Sequence, residues 1–426
     1  MPLPPRLRRP AVAVPVFATV VAVGLAGCSG GGGAPPSPVL SSGAPRVEPK
    51  HAGGLGDILV AGQPVTGSEP SGIPKVPFRR TYTEGELYAS VTGYRSMVFG
   101  TSGLEKLLKA ETDAGKDVAT TIDPAAQRAA FEGLRGRTGS AVAVDTRTGE
   151  IVAMVSSPSY DPASFAGNSR SDEKAWQRLT SDAGKPMMNR ALRGDENPGS
   201  AAHVVTAAAA LEKGLIASVD TPTDSPLAHT VPGSTTRFTG PSPRCANASL
   251  RIALNHACTN VFAGIAADLG ADALESTAAA FGFNSTLDTP WRAGESVWPD
   301  RPASPAQLAL AANGLSDVKA TPIQLARVMA VVAGDGTLPA PRLTTTPGDS
   351  GPAVRAVSAR TAEQLRTALG PSVTARVPSA SVTWALSAGR TRSGRTLAVA
   401  VNFSSATDGT DGTAEAAAIA RRITTG

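Results

Sequence analysis

The sequence predicts an α+β fold, an antiparallel sheet flanked by helices, and three observations carry that prediction. Two apolar runs separated by a short polar turn open the central region as a hairpin, Ser140–Asp145 and Glu150–Val155. A long Ala-rich helical stretch follows. Two further apolar runs, Val382–Ser387 and Leu397–Phe403, lie close to the C-terminus. Strands from both ends of the region must then close one sheet around the helices.

Each element has its own signal. Asp123-Pro124 places a capping carboxylate before a proline at the first helical position, so a helix runs from there to about Leu134. The hairpin turn ends at Gly149. Pro198-Gly199-Ser200 opens a helix that ends near Lys213-Gly214. Further helices are expected around 250–268, 271–281, 321–333, 360–369 and 413–423. The two late strands are joined by a basic turn. The stretch from Leu369 to Val382 reads as too short to hold a strand, a motif and a loop.

The chain has 426 residues, and 41% of them are hydrophobic against 18% charged, so it can bury a sizeable core and is not wholly disordered. Aromatics are 4%, which leaves the core to Ala, Val, Leu and Ile. Lys and Arg number 40 against 35 Asp and Glu, a net charge of +5. Over this length, that excess does not describe a nucleic-acid binder; it would suit weak attraction to an acidic envelope surface. Three Cys and four His are too few and too scattered for a metal site, and no cofactor motif is present.

The N-terminus reads as an address. Arg6, Arg8 and Arg9 precede an apolar run from Ala11 to Leu25, the layout of a secretory signal and short for a membrane span. The run ends in Leu25-Ala26-Gly27-Cys28, which resembles a bacterial lipobox. The resemblance implies cleavage after residue 27 and lipidation of Cys28, hence a lipid-anchored protein on the extracytoplasmic face of the cell membrane. Residues 28–56 are rich in Gly, Pro and Ser and read as a tether. Residues 57–116 read as a small N-terminal pedestal segment, and 117–426 as the main domain.

The main domain carries a family resemblance. Segments within 117–165, Met188-Asn-Arg-Ala-Leu192, Asn197-Pro-Gly-Ser200, Ala320-Thr-Pro-Ile-Gln-Leu-Ala326 and Pro341-Arg-Leu343 resemble, in order, the transpeptidase domain of the penicillin-binding proteins, class B. Upstream, Gly56-Asp-Ile-Leu59, Arg80-Thr-Tyr82, Val91-Thr-Gly-Tyr94 and Gly103-Leu-Glu105 are similar to the actinobacterial penicillin-binding protein A group. The resemblance implies the fold shared with serine β-lactamases. It also implies a place in peptidoglycan synthesis, with peptidoglycan stem peptides, β-lactams or wall-synthesis proteins as partners.

The family's chemistry rests on three motifs, and each is altered here. In Ser-x-x-Lys, the amine shares a helix face with the serine and activates it for acyl transfer. This chain has Ser200-Ala-Ala-His203. An imidazole can serve as a base, but Ser200 can also be a helix-start residue and His203 a packed, hydrogen-bonded side chain, and that reading is preferred here. The second motif, Ser-x-Asn, falls on Ala257-Cys258-Thr259, with Asn260 one residue late; one residue of helix turns a side chain by about 100°. No Lys-Thr-Gly or Lys-Ser-Gly occurs in the C-terminal third, and Arg392-Ser393-Gly394 sits in the basic turn between the late strands. With Cys28 assigned to lipid, Cys245 and Cys258 form an even pair, the pattern of a disulfide in an exported protein.

Three readings follow: a non-catalytic, lipid-anchored family member that binds peptidoglycan or wall-synthesis partners; an active serine D,D-transpeptidase or carboxypeptidase acylated by penicillin at Ser200 with His203 as base; and a plain structural envelope lipoprotein. The first is the expectation.

Overall fold

The computed structural model describes residues 53–287, 293–346, 351–377, 382–404 and 412–425. The signal segment, Cys28 and nearly all of the tether lie outside them. Among the described residues, no helix is long and apolar enough to cross a membrane.

The N-terminal part pairs segments that are distant in sequence. Strand β1 (Ile58–Val60) is followed by the hairpin β2 (Thr66–Ile73) and β3 (Val76–Tyr82), then helices α1 (Gly85–Thr92) and α2 (Gly103–Leu107) and the short strand β4 (Val118–Ala119). β1 runs parallel to β4, Ile58 opposite Val118. Arg80 reaches from β3 to Glu105 on α2, Nε 2.6 Å from one carboxylate oxygen and Nη2 3.1 Å from the other, and both side chains are fully buried.

Helix α3 (Pro124–Gly133) begins where the sequence places it, with the Asp123 carboxylate accepting from the amides of Ala125 and Ala126. The hairpin β5 (Gly139–Asp145) and β6 (Ile151–Ser157) follows, then α4 (Arg170–Ser181), α5 (Arg190–Arg193) and α6 (His203–Glu212). The helical middle continues with α7 (Leu250–His256), α8 (Thr259–Leu269), α9 (Ala271–Ala280), α10 (Pro305–Ala312), α11 (Pro322–Ala333) and α12 (Ala359–Leu369). The chain closes with β7 (Ser372–Val377), β8 (Val382–Arg390), β9 (Thr396–Ser404) and α13 (Thr413–Thr425).

The five-stranded sheet has the order β7-β8-β9-β5-β6, antiparallel throughout. The C-terminal strand β9 lies against β5, Val401 opposite Ala141, so both ends of the domain build one sheet. Its two faces are buried differently. Leu397, Val399, Val401 and Phe403 of β9 join the core under α3 and α13. Ala398 and Ala400 face the larger core that contains α6 and α11. Small residues on that face admit α11, which is apolar almost all round and buried along nearly its whole length.

One expectation needs correction. The single helix around 250–268 is two, α7 and α8, because Ala257 adopts a left-handed conformation (φ 50°) that ends the first. The stretch after Leu369 holds the strand β7, which pairs with β8 from Ser372–Ser387 to Val377–Val382.

Candidate functional site

Ser200 lies in a 3-10 turn, Gly199–Ala202, that leads into α6. It is half-buried. Close backbone approach holds the turn in place. Gly199 (φ +54°) donates its amide to the carbonyl of Gly314 at 3.0 Å, and a Cβ on Gly314 (φ +66°) would sit 2.2 Å from the Gly199 oxygen. Both positions therefore require glycine. Just upstream, Asn197 donates to the carbonyls of Ser316 (2.8 Å) and Val318 (2.6 Å) and accepts at its own carbonyl from Trp384 Nε1 (3.0 Å). Lys319 Nζ lies 3.3 Å from Asn197 Oδ1. The edge strand β7 packs against the same turn. Ser200 thus sits where β7, the head of α6 and the segment after α10 converge.

His203 is 1% exposed, and its surroundings are closed. Its ring stacks on Phe262 of α8, centroids 3.8 Å apart at 16°. Its Nε2 lies 2.9 Å from Oδ1 of Asn313, at the end of α10. The Asn313 amide nitrogen donates to the carbonyls of Ala309 (2.8 Å) and Thr259 (3.3 Å), which turns Oδ1 toward the imidazole. Nε2 therefore carries the proton and Nδ1 the lone pair, and Nδ1 has no hydrogen-bond partner. Burial lowers the imidazole pKa to about 4, against a smaller upward pull from the Asn313 hydrogen bond, so His203 is neutral at pH 7. The backbone N–H of His203 donates to the Ser200 carbonyl, and among the described residues no side-chain hydrogen bond joins the Ser200 hydroxyl to the imidazole.

At the second motif position, Asn260 is fully buried. Its amide donates to the carbonyls of Pro226 and Cys245, both at 2.9 Å, so it serves the neighbouring loop. The structure joins Cys245 and Cys258 in a disulfide, S–S 2.05 Å, with Cα atoms 5.3 Å apart. This link and Asn260 hold the same loop to the start of α8.

The Arg392-Ser393-Gly394 turn begins eight residues beyond Trp384, past the end of β8, roughly 26 Å of extended chain from the Trp384 contact with the Ser200 turn. Arg392 is exposed there. The adjoining Arg395 binds Asp145 (2.8 Å) and Glu150 (2.5 Å) at the turn of the first hairpin, so this end of the sheet is an ion-paired surface corner. The strand beside Ser200 is β7 instead, and Arg376 occupies its register position opposite Thr383. The alternation Val373, Ala375, Val377 signals that strand. Asn313, Asn197 and Trp384 carry no such local signal. Among the described residues, no group of three metal-ligating side chains assembles.

A serine at the head of a helix, beside an antiparallel sheet with helices on both faces, defines a serine-transpeptidase type of fold. Residues 139–388 match the penicillin binding protein transpeptidase domain, and residues 55–128 the penicillin binding protein A dimerisation domain. The chain belongs to the penicillin-binding protein transpeptidase family. It is 33% identical over 335 residues to the peptidoglycan D,D-transpeptidase PbpA of Mycolicibacterium smegmatis, covering 70% of this chain and 66% of that protein. Against PbpA of Mycobacterium tuberculosis it is 33% identical over 332 residues, with the same coverage. The chain thus spans just under two thirds of these relatives' length. The solved imipenem acyl-enzyme complex of penicillin-binding protein A from M. tuberculosis superposes with a TM-score of 0.77 at 29% identity, over 87% of this chain and 97% of that one.

Proposed function

We propose that this chain is a lipid-anchored, non-catalytic member of its family, acting in peptidoglycan synthesis by binding stem peptides or wall-synthesis proteins. In this reading residues 1–27 are a lipoprotein signal peptide and Cys28 carries the lipid. Residues 28–56 tether the fold to the extracytoplasmic face of the membrane, 57–116 form the pedestal, and 117–426 form the transpeptidase-like domain.

One observation carries the reading. The group three residues after Ser200 is an enclosed imidazole, stacked on Phe262 and bonded to Asn313, with no hydrogen bond from the ring to the serine hydroxyl. An acylable serine needs an activating base within hydrogen-bond reach. Asn260 serves the loop backbone, and the Arg392 turn is remote from Ser200. Removing a single oxyanion donor costs about a hundredfold to a thousandfold in rate; loss of base, relay and carboxylate clamp together leaves little turnover.

The second reading keeps Ser200 acylable, with His203 as base. It is favoured by the neutral state of His203 and the unpartnered lone pair on Nδ1. Intact-protein mass spectrometry with a labelled penicillin separates the two. The expected result is no adduct on the wild type or on Ser200→Ala. A stoichiometric adduct on the wild type alone, lost again in His203→Gln, overturns the non-catalytic reading.

A further inference from the structure

A cleft of about 750 Å³ opens between α1 and the 101–107 stretch on one side and β6, the 186–189 segment and α5 on the other. Neither Ser200, His203 nor Asn313 lines it. Its volume is that of a small-molecule site. Leu104, Met154, Leu192 and Leu343 give it an apolar floor, each almost fully buried.

The serines and the asparagine on its walls are engaged by the fold itself. Ser90 Oγ accepts from the Ser156 amide at 2.9 Å, and Ser156 Oγ donates to the Met188 carbonyl at 2.8 Å. Ser102 Oγ accepts from the Tyr94 amide at 3.3 Å, and Ser159 Oγ donates to the Glu86 carbonyl at 2.7 Å. The Asn189 amide nitrogen donates to the carbonyl of Ser90 at 2.9 Å, and its Oδ1 is enclosed. A ligand rich in donors and acceptors would lose its water here and find few partners in exchange. Charge is arranged differently. Lys106 of α2 and Arg193 of α5 stand on opposite walls, and both are exposed. No Asp or Glu lines the cleft, and among the described residues neither cation enters an ion pair with an acidic side chain.

We infer that this cleft binds an anionic amphiphile, a single acyl chain ending in a carboxylate or a phosphate. The chain lies on the floor, where burial takes it out of water and asks for no hydrogen bond. The head stays at the mouth between Lys106 and Arg193, two cations with no acidic neighbour on the walls to compete for them. The floor selects against a short anion, and the mouth selects against an uncharged chain. Binding is non-covalent and owes nothing to Ser200.

The test is calorimetric titration of residues 29–426 in buffer without detergent, which would compete for the cleft. The buried core runs from Leu55 to Ile423, inside one compact unit, so this part folds without the leading segment. Dodecanoate, below its micelle concentration, is expected to bind saturably. Each buried methylene is worth about fourfold in affinity, so octanoate should bind roughly a hundredfold more weakly. Dodecyl maltoside, an uncharged head on the same chain, should lose roughly tenfold, as should Lys106→Gln and Arg193→Gln with dodecanoate. Because both residues are exposed, circular dichroism should show both variants folded as the wild type. Dodecanoyl lysophosphatidylglycerol separates the two sources of such a ligand. Tighter binding than dodecanoate assigns the cleft to a membrane lipid, weaker binding to a free fatty acid, and either upholds the site. The inference is overturned by absent saturation, by octanoate or dodecyl maltoside binding as well as dodecanoate, or by full affinity in both cation variants. Failure here leaves the reading of Ser200 standing, and a penicillin adduct on Ser200 leaves this site standing.

Discussion

Nε2 of His203 and Oδ1 of Asn313 lie 2.9 Å apart in the closed interior between α6, α8 and α10, although 110 positions separate the two residues in sequence. The asparagine is clamped by the carbonyls of Ala309 and Thr259 and so dictates the tautomer of the histidine. The position three residues after the candidate nucleophile is thereby built into the core.

Stability should depend on pH through His203. Burial lowers its pKa in the fold to about 4, whereas the unfolded chain takes up the proton near 6.5. Above about pH 6.5 both states are neutral and nothing is lost. As pH falls from 6.5 toward 4, the unfolded state gains a proton the fold excludes, and stability drops by up to about 3 kcal/mol. Urea unfolding at pH 7.5 and 4.5 checks this. The wild type should lose that much relative to His203→Gln, and parallel pH profiles would remove the idea.

Asn313→Ala should destabilise the fold by about 2–3 kcal/mol. It strips the acceptor from the His203 N–H and the donor from two carbonyls, all in a region where water does not replace them. Denaturant midpoints at pH 7.5 measure it, and a change below about 0.5 kcal/mol would show that the clamp is dispensable.

The disulfide closes a loop with a sequence separation of 13. In the chain-entropy model a loop of that size contributes about 3 kcal/mol. The Cys245→Ala/Cys258→Ala double variant should lose about that amount in chemical denaturation, with the far-ultraviolet dichroism of the folded state retained. An unchanged midpoint would argue that the loop is held by Asn260 alone.

Arg80 and Glu105 are both enclosed, and the pKa of the carboxyl is raised by burial, with Arg80 pulling it back down. Glu105→Ala should cost about 3–5 kcal/mol because it leaves the guanidinium buried without its main counter-charge. The double variant Arg80→Met/Glu105→Leu should recover most of that loss. If the single variant is as stable as the wild type, the pair does not hold the N-terminal segment.

Much of the architecture was legible locally. The two apolar runs of β5 and β6 and the Asp123-Pro124 start of α3 are short-range signals, and each element formed where its signal stood. The β1–β4 pairing was not legible, because Ile58 and Val118, 60 positions apart, meet only when the chain between them folds back. Nor was the break at Ala257, since alanine is a strong helix former and surrounding structure overrode its preference. At the candidate site, the helix-start position of Ser200 was readable from Pro198-Gly199, and the partners around it were not.

By itself the sequence determined which groups are available: a serine at a helix start, an imidazole where the family carries an amine, two cysteines with an even count, and the strands and helices that frame them. Only the tertiary structure decided what those groups do. It put Phe262 against one face of His203, aimed Asn313 at Nε2, turned Asn260 to the loop and laid β7 beside Ser200. Protonation, tautomer and reach depend on burial and on partners contributed by distant elements, and no local pattern encodes the company a side chain keeps once the chain has folded.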